Sequence, residues 1–360
     1  MLQVIEFINT HSNWCELLSD APYYIQIADD GLFTILKYNQ IKSDFHNPIV
    51  KECRGLIINN TNNQPICVPF FKFGNYGESY ADDIDWPTAR VQEKVDGSLI
   101  KVWYYNSEWH VSTNGTIDAK NAPLQSDIGG YSNFRELFDV AWSKYYSDFS
   151  NLNPDNTYMF EIISPYNRVV VPYSEIDIRH IGTRNNITLQ EFEIDIGVPH
   201  PKMYSLHTFD DCLASANGLP FSEEGYVVVD ANWHRIKVKS PAYVAVHHLA
   251  ANGAMTKSRI VELIKTNESE EFLTYYPEYK TAFKDIKDGI FCFCEDVTNE
   301  YKNMRCYDFP TRKDLAEFIN DKLSFCPAVF FALYDKKVDN AKDWLYNQST
   351  DKILKWIGEY

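Results

Sequence analysis

Over about residues 20–240, hydrophobic and polar positions alternate in short runs, which is typical of β-strands separated by turns. The apolar runs 23–28 and 32–38 flank Asp29-Asp30-Gly31, a combination that predicts a β-hairpin. A second hairpin is predicted where Asn106-Ser107-Glu108 separates 99–105 from 109–113. The same pattern predicts further strands at 55–58, 66–73, 158–163, 168–171, 225–230 and 234–238.

Helical spacing of apolar residues interrupts this pattern at 2–18, 134–149 and 208–216. After Pro241 the helical period takes over. It predicts helices at 256–264 and 311–323, another at 341–357, and a long helix between Pro277 and Pro310. We therefore predict an α+β protein, with an antiparallel-sheet domain at 1–245 and an all-helical C-terminal domain at 246–360.

The composition fits two folded domains. The chain has 360 residues, of which 45% are hydrophobic and 15% aromatic, enough to form real cores and to exclude a disordered protein. The longest apolar runs have the length of a strand, and no secretory signal is visible, so we expect no membrane partner and a cytoplasmic location, the host cytoplasm for a viral protein. Eight cysteines without a CxxC pair predict ordinary buried thiols, with a zinc site at Cys292 and Cys294 as the weaker alternative.

The net charge of -16 argues against broad, non-specific binding to nucleic acid. Residues 1–240 hold 18 Lys and Arg against 31 Asp and Glu, a balance of -13, whereas residues 241–360 hold 16 against 19, a balance of -3. Neither part carries a basic tail. A nucleic-acid contact must therefore be a small, shaped patch that engages an end or a loop.

The main candidate for chemistry is Lys94, in the segment Glu93-Lys94-Val95-Asp96-Gly97 at the mouth of a strand. A lysine near a turn is usually a solvated surface residue, so this short match is weak alone. Its significance comes from further segments in order along the chain. They are Arg54-Gly55, Phe71-Lys72-Phe73, Phe160-Glu161-Ile162, Ser164 to Arg168, Glu224-Gly225 and Lys237-Val238-Lys239.

This ordered set resembles the covalent nucleotidyltransferase superfamily of RNA ligases, DNA ligases and mRNA capping enzymes. Within it, the set is most similar to the T-even phage family of RNA ligases that repair cleaved tRNA. The likeness extends from Arg54 to about His247, and the helical domain fits that family's accessory domain. The resemblance implies an antiparallel-sheet, ATP-grasp-like ligase domain with Lys94 as the nucleophile that takes AMP from ATP.

The residues give this role a physical basis. Attack on phosphorus needs a neutral amine, yet a free lysine has a pKa of about 10.4. Lys237 and Lys239 are two apart on a predicted strand and share a face, so close to Lys94 they would lower its pKa and hold the α-phosphate. The alternative is a strand that exposes both lysines to water.

The resemblance also implies roles for two glutamates. Glu161 lies in an apolar run and needs a dedicated partner, which the family supplies as the ribose hydroxyl or a metal-bound water. Glu224 corresponds to a glutamate that organises the divalent cation, and two carboxylates suit Mg²⁺, with Mn²⁺ as a substitute. A structural salt bridge is the alternative for each.

Further site residues rest on the resemblance alone. Arg54 corresponds to an arginine near the ATP phosphates and Lys72 to a lysine of the nucleotide site. Tyr38 corresponds to a tyrosine at the nucleotide pocket, with a packed strand aromatic as the alternative. Glu270, in an acidic run with Glu268 and Glu271, lies where the family has a metal contact; a solvated surface is the alternative reading.

Two positions depart from the family pattern. The lysine of its T/S-K-G-S segment is Asn114 here, which removes a phosphate contact unless another residue supplies one. The second phenylalanine after Lys72 is Gly74, which changes the wall of the pocket near Phe73. Both changes bear on substrate preference and on the relative rates of the steps.

The resemblance implies an ATP-dependent RNA ligase. Lys94 would take AMP, pass it to the 5′-phosphate of a broken RNA, and a 3′-hydroxyl would then seal the ends, with Asp96 close to the reacting groups. Expected partners are RNA with broken ends, including tRNA anticodon loops, and the chain is expected to be a monomer. The alternatives are a DNA ligase or capping enzyme, which the helical C-terminus disfavours, a non-catalytic RNA-end binder, and a structural protein.

Overall fold

The computed structural model describes residues 1–124, 130–248, 255–323 and 326–358. The chain forms two compact units, Met1–His247 and His248–Tyr360. The first combines helices with mainly antiparallel sheets, and the second is helical over its described residues. The predicted α+β class, with a helical C-terminal region, is confirmed.

The strands belong to the first unit. In chain order they are β1 Ile25–Asp29, β2 Phe33–Tyr38, β3 Arg54–Asn59, β4 Pro65–Cys67, β5 Gly74–Asn75, β6 Arg90–Glu93, β7 Ser98–Tyr105, β8 Glu108–Thr113, β9 Asn156–Ile163, β10 Asp177–Asn185, β11 Glu191–Phe192, β12 Met203–Tyr204, β13 Gly225–Val229 and β14 Arg235–Lys239.

These strands form three sheets. The first has the order β1-β2-β3-β4, the second β11-β10-β9-β7-β8, and the third β12-β6-β13-β14-β5. The pairs are antiparallel except β14 with β5. Strand β7 therefore lies between β8 and β9, whereas β13 lies between β6 and β14.

Helices cover the outer faces of the sheets. The first unit holds α1 Gln3–Thr10, α2 Trp14–Ser19, α3 Pro48–Glu52, α4 Phe134–Ser143, α5 Phe209–Asn217 and α6 Pro241–His248. Helices α1 to α3 pack on the first sheet, α4 on the second and α5 on the third. Each fully buried side chain in these layers, such as Leu137 of α4, contributes on the order of 2 kcal/mol.

Apolar contacts also join the sheets to one another. Trp103 of β7 packs on Phe33 and Ile57 of the first sheet. Met159 of β9 shares a cluster with Val227 of the third sheet and with the connecting segment that carries Phe73. The polar ends of β6, β9 and β14 thus converge on one region between the second and third sheets.

The second unit is built around one long helix. Its helices are α7 Lys257–Lys265, α8 Ser269–Tyr275, α9 Lys280–Met304, α10 Arg312–Lys322, α11 Pro327–Tyr334, α12 Ala341–Tyr346 and α13 Thr350–Ile357. Helices α7, α11, α12 and α13 pack on α9. Its core consists of buried apolar residues such as Phe283, Phe293 and Leu345.

Several predicted elements differ in the structure. The predicted strand at 168–171 is irregular, because the amides of Val170 and Val171 donate to the Asp96 carboxylate instead of to a neighbouring strand. Strand β10 was not predicted, and a bulge between His180 and Gly182 interrupts its alternation. The predicted helices at 2–18 and 341–357 are each two helices with a short break.

Among the described residues, no helix combines the length and the apolar character that crossing a membrane requires. All eight cysteines are free thiols. Cys15, Cys292 and Cys306 are exposed and Cys294 is half-buried, so the prediction that the thiols are buried is wrong at these four positions.

Candidate active site

Lys94 lies in a tight turn that leads from β6 into β7. Its backbone N–H donates to the Gly225 carbonyl at 2.8 Å, which extends the pairing of β6 with β13. Gly97 passes so close to β9 that a Cβ there would lie 2.3 Å from the Ile162 carbonyl oxygen, so only glycine fits. These contacts fix the backbone of Lys94 at the mouth of a pocket.

The Lys94 ammonium forms an ion pair with a buried carboxylate. Its Nζ lies 2.7 Å from Glu224 Oε2, and the Glu224 side chain is only 4% exposed. Lys239 Nζ lies 3.8 Å from the other oxygen, Glu224 Oε1. Glu224 therefore serves two ammonium groups, and Lys94 can act as a nucleophile only when this pair opens.

Glu161 lies on the wall of the same pocket, on β9 opposite Leu99 of β7. Burial is the main cause that raises the pKa of its carboxyl to about 7; Lys94 and Arg54 oppose the shift, and Glu224 adds to it. A carboxyl with this pKa is only partly ionised at neutral pH. The pocket therefore offers two carboxylates that an added cation would stabilise.

Two lysines of β14 face the same region, as the sequence predicts. Lys237 lines the pocket with Lys94, and Lys239 reaches Glu224. Burial holds the pKa of Lys237 well below its usual range, and the charges of Lys72, Lys239 and Lys94 lower it further. An anion such as a phosphate chain would oppose this shift and favour the charged form of Lys237.

Arg54 supplies a further cation at the start of β3. It lines the pocket, and its guanidinium carbon lies 5.5 Å from the centre of the Phe73 ring, which also lies 4.9 Å from Lys237 Nζ. The Arg54 Nη1 is buried, and no residue that the structure describes accepts a hydrogen bond from it. A ligand oxygen in the pocket would satisfy this donor.

Lys72 lies in a cage of aromatic rings beside the pocket. Its Nζ lies 4.7 Å from the ring centre of Phe45, 5.3 Å from that of Tyr38 and 5.7 Å from that of Tyr80. Lys72 lines a neighbouring cavity and influences the pocket through its charge on Lys237. Tyr38 is a buried core residue whose ring packs edge-on against Phe45 at 5.1 Å, which agrees with the packing alternative.

Asp96 was predicted to lie close to the reacting RNA ends, but its carboxylate is occupied by hydrogen bonds within the protein. The carboxylate is buried and accepts hydrogen bonds from the amides of Val170 at 2.9 Å and Val171 at 2.7 Å. It also accepts one from the Tyr243 hydroxyl at 2.8 Å. These bonds tie the turn after Lys94 to the 164–173 loop and to α6.

Glu270 belongs to the second unit, on α8, and its side chain is exposed. A metal contact at Glu270 remains a prediction. Over the described ranges, no group of three or more His, Cys, Asp and Glu side chains is arranged to hold a metal ion. Any cation in the pocket would therefore need ligands from its substrate in addition to Glu161 and Glu224.

Of the two departures from the family pattern, Asn114 lies at this site, whereas Gly74 lies in β5, against Ala81. Asn114 lines the pocket beside Arg54. A Cβ on Gly74 would lie 2.8 Å from Ala81 Cα, so the backbone of Ala81 occupies the space that a side chain would need.

Sequence reasoning missed several residues of the pocket. Leu99, Ile181 and Val227 form its apolar walls, and their positions in strands gave no local signal. Lys101, beneath the pocket, had one visible signal, because it is the single charged residue in the strand segment Ser98–Tyr105.

Viral proteins are among the relatives in sequence of this chain, and no family model matches it. A protein named as a bifunctional polynucleotide kinase/RNA ligase, from Autographa californica nuclear polyhedrosis virus, is 31% identical over 287 residues. The match covers 73% of this chain but only 40% of the viral protein. An RNA ligase of Rhodothermus phage RM378 is 26% identical over 304 residues, covering 64% of this chain and 67% of the phage protein.

Solved structures show a looser likeness. An archaeal ATP-dependent RNA ligase is 12% identical with a TM-score of 0.45, covering 99% of this chain and 77% of that protein. A Naegleria gruberi RNA ligase with ATP and Mn is 17% identical with a TM-score of 0.33, covering 44% of this chain and 51% of that protein.

Proposed function

We propose that this chain is an ATP-dependent RNA ligase that works through a covalent lysyl-AMP on Lys94. The observation that carries the proposal is the pocket in which Lys94, Glu161, Lys237 and Arg54 face one another, with Glu224 in an ion pair to the Lys94 amine at 2.7 Å. Two relatives in sequence, one named as a bifunctional polynucleotide kinase/RNA ligase and the other as an RNA ligase, support the same conclusion.

The first step is attack by Lys94 Nζ on the α-phosphorus of ATP. A nitrogen–phosphorus bond forms, the bond from the α-phosphorus to the bridging oxygen breaks, and pyrophosphate leaves with both electrons of that bond. Before the attack, Lys94 Nζ must give up its proton and leave its ion pair with Glu224. Lys237 and Arg54 are placed to stabilise the charge that develops on the phosphates.

The donor set fits Mg²⁺, or Mn²⁺ as a substitute. Glu161 and Glu224 are two neighbouring carboxylates, and burial raises the pKa of Glu161, a shift that a bound cation would oppose. These two residues would hold the cation, with phosphate oxygens and waters as its other ligands. A bound divalent cation supplies charge neutralisation on the phosphates. Because Glu224 also pairs with Lys94, holding a cation and holding the ammonium compete for one carboxylate.

The later steps join broken RNA ends. AMP moves from Lys94 to the 5′-phosphate of one end and forms a phosphoanhydride, which a 3′-hydroxyl then attacks to expel AMP. The acidic balance of residues 1–240 favours selection by shape over general attraction to phosphates. We include broken tRNA anticodon loops among the substrates and propose that the helical unit helps to select them.

The deciding experiment is incubation with ATP labelled at the α-phosphate, followed by a denaturing gel. The proposal expects a labelled protein band that requires Mg²⁺ or Mn²⁺ and disappears when pyrophosphate is added, since the step is reversible. Label transfer to a 5′-phosphorylated RNA, but not to the same sequence as DNA, distinguishes an RNA ligase from a DNA ligase. A folded protein that never takes label would leave only a binding or structural role.

A further inference from the structure

Lys101 is a buried cation beneath the pocket, and the reaction proposed above does not use it. It lies in β7 and is fully buried. Across residues 1–124, 130–248, 255–323 and 326–358, Lys101 forms no ion pair with a carboxylate, and its Nζ donates instead to the Gly55 carbonyl. Burying an ammonium without a carboxylate is costly, so its presence calls for a function.

The carbonyl that Lys101 holds belongs to a β-bulge. In the pairing of β2 with β3, Leu36 lies opposite Leu56 and Lys37 opposite Arg54, so Gly55 falls outside the register. Gly55 has a φ of +77°, and a Cβ there would lie 2.8 Å from the Asn114 carbonyl oxygen and 2.9 Å from Lys101 Nζ. The bulge therefore depends on glycine and on a donor from β7 for its displaced carbonyl.

The bulge determines where Arg54 points. Bulges beside functional sites commonly redirect a side chain, and here the adjacent Arg54 enters the pocket with Lys94. Arg54 Nη1 and Asn114 Oδ1 are both buried and have no hydrogen-bond partner among the described residues. Two unsatisfied polar atoms beside a fixed backbone indicate a place prepared for a ligand.

We propose that Lys101 is a positioning residue that fastens the Gly55 bulge and so holds Arg54 against the phosphate chain of the bound nucleotide. It acts through Arg54 and does not itself touch the nucleotide. The inference rests on the proposed function, since the phosphates of ATP are the ligand that Arg54 would meet. In this arrangement Arg54 is a cation in the same pocket as Asn114, the position at which the family has a lysine.

The ionisation of Lys101 agrees with this role. Burial is the main cause that lowers its pKa to about 8; Cys67 of β4 opposes the shift, and Arg54 of β3 adds to it. Lys101 is therefore mainly charged at neutral pH and loses its charge in mildly alkaline solution. An ammonium donates a stronger hydrogen bond than an amine, so the hold on the Gly55 carbonyl weakens above pH 8.

The test is a double-mutant cycle on the full chain with Arg54→Ala, Lys101→Met and both together. The readouts are KM for ATP and kcat for labelling by AMP. We expect Lys101→Met to raise KM about tenfold, the size for losing one hydrogen bond from a charged donor, with kcat within about twofold. On the Arg54→Ala background, Lys101→Met should change KM by less than about twofold, because its effect acts through Arg54.

The matched control is Ser112→Ala, which changes the buried residue opposite Lys101 on β8 but makes no contact with Gly55. It should leave KM unchanged. An unaltered KM in Lys101→Met, or effects that simply multiply in the double mutant, would overturn the inference. A wild-type chain that takes no AMP would instead contradict the proposed function.

If Lys101→Met does not fold, as judged by thermal unfolding, the wild type provides a second measurement. Binding of a non-hydrolysable ATP analogue is compared between the wild type and Arg54→Ala from pH 7 to pH 9. Glu161, with a pKa of about 7, is present in both proteins, so only the difference between the two profiles reports Lys101. We expect the wild type to lose about threefold more affinity than Arg54→Ala over this range; parallel profiles would overturn the inference.

Discussion

The two units differ most in what they bury. The first unit encloses charged side chains in its interior, among them Lys72, Asp96, Lys101, Glu224 and Arg235. In the described part of the second unit, the buried polar side chains are Ser269 and Glu271, within a core of aliphatic and aromatic residues. An apolar helical core needs no ligand to explain it. Buried charges are costly, so their concentration locates the chemistry in the first unit.

The comparison also separates two kinds of buried charge within the first unit. Glu191 pairs through one oxygen with Arg184 and through the other with Arg235, at 2.5 Å from the latter. At the pocket, Glu224 pairs in the same way with two lysines, Lys94 and Lys239. An arginine stays charged in a protein, whereas a lysine can give up its proton, so the second network is the one suited to a nucleophile.

The largest expected effect comes from removing the nucleophile. Lys94→Ala should abolish labelling by ATP, because Lys94 is the proposed nucleophile and Lys239, the second ammonium group at Glu224, lies on the other carboxylate oxygen at 3.8 Å. Lys120→Ala, at an exposed lysine of the same unit, is the control and should label as wild type. An AMP adduct that persists in Lys94→Ala would remove this residue from the mechanism.

The next largest effect concerns the lysines of β14. Lys237→Ala and Lys239→Ala should each slow adenylate formation by roughly 2–4 kcal/mol in activation free energy, because each removes a preorganised charge from the phosphate site. Single-turnover labelling at saturating ATP measures this effect. Wild-type rates in both variants would mean that the charges of Lys237 and Lys239 have no role in adenylate formation.

A smaller effect, on stability, follows from the pKa of Glu161. The folded protein holds its proton up to about pH 7, whereas the unfolded chain releases it at the usual lower pKa. The folded state therefore binds more protons across this window, and the free energy of unfolding falls as pH rises through it. Glu161→Gln should stabilise the unliganded protein by about 2 kcal/mol at pH 8, with little change at pH 4.

Urea unfolding of Glu161→Gln at the two pH values measures this difference, with the exposed Glu108→Gln as the control. An equal effect of Glu161→Gln at both pH values would show that the carboxyl is not destabilised in the free protein. The variant should also lose AMP labelling, so stability and activity would change in opposite directions.

The smallest effect on AMP transfer is expected from removing the second unit. A chain that ends at residue 248 should take AMP within about threefold of the full-length rate, since compact units commonly fold alone. It should lose its preference for broken stem-loops over linear RNA, measured as a ratio of ligation rates. An unchanged ratio would leave the helical unit without a role in substrate selection.

The sequence predicts a hairpin or a helix start well where neighbouring residues alone determine it. The turn Asp29-Asp30-Gly31 and the alternation around it were sufficient for the β1–β2 hairpin, and Thr256 and Thr311 do cap the helices predicted to follow them. The shared face of Lys237 and Lys239 followed from the period of a strand alone.

The sequence was less informative where distant residues decide the structure. The apolar run at 168–171 resembles a strand, but Asp96, more than 70 residues away, takes its amides. Strand β10 carries Arg184, whose partner Glu191 and neighbouring Arg235 are not visible in the local pattern. Tyr38 and Lys72 were identified as site residues, yet the packing of both around Phe45 depends on tertiary contacts.

The hydrogen bond from Tyr243 to Asp96 has a consequence for how such a unit can be recombined with others. The hydroxyl that secures the turn beside Lys94 comes from α6, which follows the last lysine strand. A gene fusion or a natural exchange of modules joined before Tyr243 would keep every residue of the pocket and still release that turn. A fusion boundary that preserves the turn must therefore lie after Tyr243. Helix α6 is part of the smallest segment that can be transferred with an intact site.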